Sequence, residues 1–386
     1  MTDRAFALPD ELETFRKAVR GLCEDRVAPR AAEIDEADEF PWDVHRLFVD
    51  NELMAVGYPE EHGGSGGGSL SVAVMVEEVS RVSASAALIP LVCRLGAIPV
   101  MLAGSPAQRD ALLGGIARGE HQMSYALTEP GAGSDAASMR TRYERTSSGF
   151  RLSGTKRFIT NAGISDRYTV FATRDPVERT RGISAFVVHA EDGGFSVGKA
   201  EEKMGIRGSP TREVYLDGVT IPEDRLIGEE GQGFAYAMRT LDYSRPTIAA
   251  QALGIAQGAL DQAARYATER EQFGEKIARL QGIQFLLADM AMEVEAARLL
   301  VYQAAAACDA GDPRLTYLSA IAKCHASDTA MTVTTDAVQV LGGYGYMREY
   351  GVERMMRDAK ITQIYEGTNQ IQRLVIGREL LRQLGP

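Results

Sequence analysis

From Pro9 to about Gln122 apolar and polar positions follow a helical period, in runs such as Glu11 to Ala28 and Leu70 to Val82, the pattern that turns one face of a helix toward a core. Between about Tyr125 and Ile227 the pattern changes to short stretches rich in β-branched and aromatic residues: Phe150 to Leu152, Tyr168 to Ala172, Ile183 to Val188 and Glu213 to Leu216. Gly, Asp and Ser bound these stretches, so they predict antiparallel strands joined by tight turns. After Gly231 the helical period returns. Leu287, Met290, Val294, Ala297 and Val301 recur at spacings of three and four and predict a core-facing stripe. Further helices are expected at roughly Pro313 to Leu341, Glu349 to Asp358 and Thr368 to Leu384, with Gly342, Gly343 and Gly367 in the breaks. Helices, then strands, then helices make an α+β chain rather than one of alternating βαβ units. The expected divisions are an N-terminal α-helical domain over 1–123, a middle β domain over 124–234 and a C-terminal α-helical domain over 235–386.

At 386 residues, 45% hydrophobic and 25% charged, the chain can bury a large core in two or three domains. A formal charge of −11 opposes broad affinity for nucleic acid, which needs a basic surface, so any phosphate-bearing ligand must be held by local cations. Cys23, Cys93, Cys308 and Cys324 form no CxxC pair and fit a reduced, cytoplasmic chain. Met1 to Ala7 lacks the basic and apolar regions of a secretory signal. The most apolar stretch, Ala86 to Ala103, is expected to be broken by Pro90, Arg94 and Pro99, which argues for core and against a membrane span. Pro59 to Gly68 holds the densest glycine cluster and reads as a flexible helix connection.

Chemistry concentrates in a few segments. Tyr125 to Met139 (YALTEPGAGSDAASM) contains a GxGxxA match, but the strands that follow in succession argue against a nicotinamide-binding βαβ unit. Its glycine-rich bend, with Gly131 and Gly133, would present backbone N–H groups and the hydroxyls of Thr128 and Ser134 to a polar ligand. Lys156 to Gly163 is an apolar and aromatic strand in which Phe158 could pack or stack on a ring. Asp242 and Arg245, three apart on a helix, share a face as an ion pair or a ligand-facing pair. Arg270 to Gly274 and Gln339 to Tyr346 (QVLGGYGY) carry glycines at helix breaks, where free N–H groups at a positive dipole end would suit phosphate oxygens. In Ile364 to Arg373 a carboxylate, Glu366, precedes a glycine just ahead of the last helix, either to satisfy the helix dipole or to do chemistry.

Taken together and in this order, these segments resemble the acyl-CoA dehydrogenase family, with YALTEPGAGSD and QVLGGYGY running on to MRDAKITQIYEGTNQIQR as the closest matches to its signatures. The resemblance spans essentially the whole chain. It implies an N-terminal helical domain, a middle antiparallel β-barrel or sandwich and a C-terminal four-helix bundle, with FAD bound between the β domain and the C-terminal helices. Carried over by motif, Tyr125, Leu127, Thr128, Gly133 and Ser134 would contact the flavin or the nearby thioester, and Phe158 and Thr160 would line the ring from the other side. Arg270, Phe273, Gln339, Gly342 and Gly343 would reach the FAD of a neighbouring subunit, and Thr368 and Gln370 the adenosine diphosphate part. Asp242 and Arg245 would meet the CoA side of the substrate, with Tyr365 and Gly367 beside the acyl group.

The implied reaction is α,β-dehydrogenation of an acyl-CoA, with Glu366 as base and with its own backbone N–H and a ribityl hydroxyl at the thioester carbonyl. Exclusion of water by bound thioester would raise the Glu366 pKa toward neutrality. Phe158 departs from the tryptophan often found at its position, and Ser244 stands where some branched-chain members place their base. The resemblance also implies a homotetramer, electron-transferring flavoprotein as acceptor, and a short or branched acyl chain drawn from fatty-acid β-oxidation or branched-chain amino-acid catabolism. An acyl-CoA oxidase of this kind would carry an added C-terminal domain, and a silent CoA-binding scaffold would lack Glu366. No metal site is expected.

Overall fold

A computed structural model describes residues 8–383; the readings over Met1 to Ala7 and at Leu384 lie outside the described residues. The chain opens with α1 (Asp10–Leu22), α2 (Ala31–Ala37), α3 (Trp42–Asp50), α4 (Ser69–Ser80), α5 (Ala84–Ala103) and α6 (Pro106–Ala117). Helix starts follow local chemistry. The Ser83 hydroxyl accepts the Ala86 N–H at 3.2 Å to open α5, and Ser105 and Gln108 form a reciprocal capping box ahead of Pro106 in α6.

Two expectations for this part change. The glycine cluster is a pinned loop, with Gly57 and Gly66 N–H groups donating to Gly66 and Tyr58 carbonyls and Ser65 to Ala55. The prolines do not break the apolar stretch, because α5 runs on through Pro90 and Pro99. It is long and apolar enough to cross a membrane, yet 78% of its most apolar window is buried inside the fold, against α7 (Gly233–Glu269) on one side and β1 (Met123–Ala126) on the other. Burial of its apolar side chains offsets the hydrogen bonds its prolines forgo.

The strands that follow β1 are β2 (Arg142–Thr146), β3 (Gly149–Thr160), β4 (Arg167–Thr173), β5 (Ile183–His189), β6 (Phe195–Val197), β7 (Thr211–Pro222) and β8 (Leu226–Ile227). They form one sheet in the order β6-β7-β3-β2-β4-β5-β8, with β1 beside β4. Most neighbours are antiparallel, as expected, but β1 joins β4 in parallel and β2 meets β4 in parallel at Arg142 and Thr173. The sheet is therefore mixed and not purely antiparallel. The chain leaves β1, forms the β2–β3 hairpin and only then returns, which gives the long crossover a parallel pair needs.

Alternation along β4 and β5 splits their side chains between two cores. Phe171, Ile183, Ala185 and Val187 join the helices, while Val170, Ala172, Phe186 and Val188 close a separate core with Tyr143, Phe150 and Leu216. Burial on both faces explains why these strands read as continuous apolar runs.

After α7, a hairpin of β9 (Glu271–Gln272) and β10 (Glu275–Lys276) leads into α8 (Gln281–Ala310), α9 (Leu315–Leu341), α10 (Val352–Thr362) and α11 (Asn369–Gln383). α7, α8 and α9 pack on one another, α4 covers α7, and α10 and α11 lie on α9. The stripe read on α8 is buried at Met290, Val294, Ala297 and Val301.

Candidate active site

The bend after β1 is fixed by a buried ion pair. Lys156 Nζ, fully buried, donates to Glu129 Oε1 at 2.7 Å and to the Leu127 carbonyl at 3.1 Å. Glu129 also accepts the N–H groups of Arg140 and Thr141, and Arg157 N–H donates to the Thr128 carbonyl at 2.8 Å. Burial lowers the Lys156 pKa to about 8, against the pull of Glu129. The bend thus lies against β3, where the register with β7 shifts between Lys156 and Ile159. That bulge puts Phe158 in a left-handed conformation, φ 56°, and leaves its ring 58% exposed with the Arg157 guanidinium 4.9 Å from its centroid. An exposed aromatic ring on a strained backbone is costly to keep and is typical of a ligand-facing residue. No long helix opens after the GxGxxA match, only a 3-10 turn at Ala136–Ser138, so the bend is not a dinucleotide-fold turn.

Glu366 lies in the turn between α10 and α11 with φ 52°, next to Gly367 at φ 92°. Glycine suits position 367 because φ 92° strains any L side chain, and a Cβ there would also crowd Gln372 Nε2 at 2.5 Å. Glu366 is not spent on the dipole of α11: the Ser244 hydroxyl donates to its Oε2. The alternative base position is thereby brought onto the common one. Burial pushes the Glu366 pKa up to about 7, against the opposing effects of Ser244, Arg245 and Lys323. Much of the shift that bound thioester was expected to cause is thus built into the fold. Beside it, the Tyr365 hydroxyl donates to Gln251, and burial raises the phenols of Tyr365 and Tyr125. Arg245 Nη1 donates to Asp242 Oδ1 at 2.6 Å, and Thr316 holds the other oxygen of Asp242 at 2.6 Å. The Arg245 Nε is buried without a partner.

A cavity of about 570 Å³ joins these elements, lined by Tyr125, Leu127, Thr128, Gly133, Ser134, Phe158, Thr160, Asp242, Arg245, Tyr365, Glu366 and Gly367. Residues from four distant stretches of sequence therefore share one space. The lining fits a flavin with a thioester beside it: an exposed aromatic ring and the hydroxyl-bearing bend for the flavin, an orphaned guanidinium nitrogen and a half-buried carboxylate for the thioester, around one cleft.

The remaining site candidates fall elsewhere. Arg270, Phe273, Gly342 and Gly343 line a second cavity of about 490 Å³ with Tyr266, Tyr344 and Met347. The helix ends at this cavity are not the positive ones expected. Arg270 follows the last residue of α7, Phe273 and Gly274 form the β9–β10 turn, and Gly342 ends α9, so both segments lie at C-terminal, negative helix ends. What they offer an anion is the guanidinium, stacked 5.3 Å over Tyr344. Gln339, Thr368 and Gln370 line neither cavity. Gln339 and Gln370 are exposed, and the Thr368 hydroxyl accepts the Ile371 N–H at 3.3 Å at the start of α11.

The sequence reading missed the apolar wall of the first cavity, made by Leu88, Leu91, Val92, Leu95 and Ile248, since nothing local separates such residues from ordinary core. It also missed Lys323, which is fully buried on α9. There a signal existed: Lys323 falls on the face that carries Ser319, Ala326, Ala330 and Val333, all buried, where a solvated lysine does not belong.

Comparison with known proteins identifies the family. Residues 9–120, 124–219 and 231–381 match the acyl-CoA dehydrogenase N-terminal, middle and C-terminal domains. The probable acyl-CoA dehydrogenase FadE25 of Mycobacterium tuberculosis is 54% identical over 98% of this chain and 97% of its own length. The butyryl-CoA dehydrogenase structure from Megasphaera elsdenii superposes with a TM-score of 0.94 at 43% identity, covering 98% of this chain and all of that one. A chain in the structure of the electron transferring flavoprotein of Acidaminococcus fermentans does so with a TM-score of 0.95 at 43% identity, covering 98% and 99%. With all three family domains present in order along nearly its full length, the chain belongs to the acyl-CoA dehydrogenase family and is an FAD-dependent oxidoreductase.

Proposed function

We propose that the chain removes two hydrogens from the α and β carbons of an acyl-CoA thioester to give the trans-2-enoyl-CoA, with Glu366 taking the α proton. The observation that carries this reading is the Glu366 carboxylate on the wall of the cavity that also holds Phe158, Thr128 and Ser134, in surroundings that push its pKa up to about 7. A base poised near the working pH combines a usable ionised fraction with enough basicity to take a proton from carbon. The Ser244 hydroxyl, donating to one oxygen of Glu366, restricts its rotation and leaves the other oxygen for the substrate. Tyr365, tied to Gln251, and the apolar wall of α5 and α7 exclude water, which keeps the carboxylate basic and strengthens every hydrogen bond made to the thioester. Phe158, Thr128, Ser134 and Thr160 would hold the flavin ring and Asp242 and Arg245 the CoA side of the substrate. When bound, FAD supplies the acceptor for the hydride leaving the β carbon.

The acyl chain is read as short or branched. A cavity of about 570 Å³ must house both ring and thioester, and the butyryl-CoA enzyme shares the fold over its whole length. Electrons then pass to an electron-transferring flavoprotein, a partner suggested by the similarity to a chain in the structure of such a flavoprotein. A homotetramer is supported by exposed Phe285, Met292 and Leu299, seven apart on α8, and by Phe273, 93% exposed on its hairpin. Four free, buried thiols suit a reducing, cytoplasmic setting.

The test is anaerobic mixing of the yellow protein with acyl-CoA thioesters of graded length and branching. Bleaching of the flavin by short or branched thioesters, then steady reduction of an electron-transferring flavoprotein with negligible peroxide, is the expected result. A flavin that stays oxidised with every thioester rejects the reading.

A further inference from the structure

The turn that carries Glu366 has to be held against its own preference. A non-glycine residue in the left-handed region is disfavoured by contact of its Cβ with the following carbonyl, and such conformations persist where surrounding contacts over-determine them. Here the contacts come from two buried donors. Gln372 Nε2 reaches the carbonyls of Glu366 and Gly367 at 3.2 and 3.0 Å. Lys323 Nζ, from α9, donates to the Gly367 carbonyl at 2.7 Å and to Asn369 Oδ1 at 2.9 Å. Asn369 is itself held by Ser327 Oγ at 2.8 Å and Asp328 Oδ1 at 2.7 Å, and Asp328 takes a further bond from Gln363 at 2.6 Å. One face of α9 thus anchors both ends of the turn.

A neutral donor would satisfy the same carbonyl at less desolvation cost, as Gln372 does. What only a lysine adds is charge. Its ammonium is buried within the electrostatic reach of Glu366, Cys324, Arg245 and Asp328, while Glu366 takes a hydrogen bond from Ser244 of α7 and feels the charges of Arg245 of α7 and Lys323 of α9, with the phenols of Tyr125 and Tyr365 nearby. We propose that Lys323 is a positioning residue for the base: its ammonium locks the Gly367 carbonyl, fixes the left-handed turn that sets Glu366 in the cavity, and adds a cation on the α9 side of the carboxylate. Burial lowers the lysine pKa to about 8, and the Glu366 carboxylate opposes that shift. This rests on the reading of Glu366 as the base.

The test compares FAD-loaded wild type with K323M, K323Q and K323R by stopped-flow bleaching with butyryl-CoA across pH. K323M is expected to keep FAD and to bleach about 100-fold more slowly, as a misplaced reacting group does. Its butyryl-CoA affinity should change less than about threefold, since the lost interaction serves the transition state. Its acid limb should move up by about one pH unit for want of the cation. K323Q should recover part of the rate but not the limb, and K323R should recover the limb. K323M bleaching at the parent rate with an unmoved limb overturns the proposal. So does failure of all three variants to fold with FAD, which would make Lys323 structural only. If wild type itself does not bleach, or E366Q bleaches like wild type, it is the base assignment that falls.

Discussion

The two cavities that gather the site residues are built to opposite plans. The one around Glu366 is finished within the chain: Glu366, Asp242 and Tyr365 are half-buried and tied to other elements through Ser244, Thr316 and Gln251. The one around Arg270 is open, with Phe273, Gly342 and Gly343 exposed and a lone guanidinium over Tyr344. Chemistry demands the first plan, because a base gains its strength from burial. The second suits the proposed oligomer, in which a further copy of the chain would complete the surface and cofactor retention would be linked to assembly.

Separate damage to each cavity should give separate losses. The largest effect is expected for Glu366→Gln, with bleaching by acyl-CoA slowed about 10³- to 10⁴-fold and FAD content unchanged; a variant bleaching at the parent rate would remove the base. Arg270→Ala should weaken FAD retention about 10- to 100-fold through loss of a charge-assisted contact, while molecules still loaded bleach normally. Equal retention on gel filtration at low protein concentration would disprove the shared-site view.

Smaller effects follow from the raised carboxyl. Activity should rise with pH through an acid limb near 7, where Glu366 ionises. Stability runs the other way. The folded state binds this proton more tightly than the unfolded chain, so the contribution is whole below the ordinary carboxylate range and is lost as pH rises through about 7. Glu366→Gln escapes that loss and should be the more stable protein at pH 8, by about 1–2 kcal/mol after solvent screening; a thermal midpoint no higher than the parent's at pH 8 contradicts it. Phe158→Ala should be the mildest, loosening the flavin and altering its spectrum with Glu366 titrating as before.

Periodicity alone located most of the fold. Strands β4 and β5 were legible because both faces are buried, and the α8 stripe because its other face is not. The parallel pairing of β1 with β4 was not legible, since pairing partners distant in sequence leave no local mark. α5 misled for a related reason: proline's cost is read locally, while the burial that offsets it comes from α7. Within the site, Glu366, Phe158 and the glycine bend stood out by residue type, and motif resemblance then joined them. Lys323 passed unnoticed because its meaning lies in the loop it touches 44 residues later, and the dipole reading of Gly342 failed because a glycine at a break does not say which helix end it marks.

Helix α5 carries a consequence for biogenesis. Its membrane-length apolar surface leaves the ribosome well before α7, which shields it, has been made. At typical elongation rates that delay is about 10–30 s, during which the nascent chain displays a greasy segment to chaperones and bilayers alike. Chains halted before α7 should therefore aggregate or adhere to vesicles, whereas chains released after it should not, so the order in which the helices are synthesised sets a window of vulnerability that the finished enzyme no longer shows.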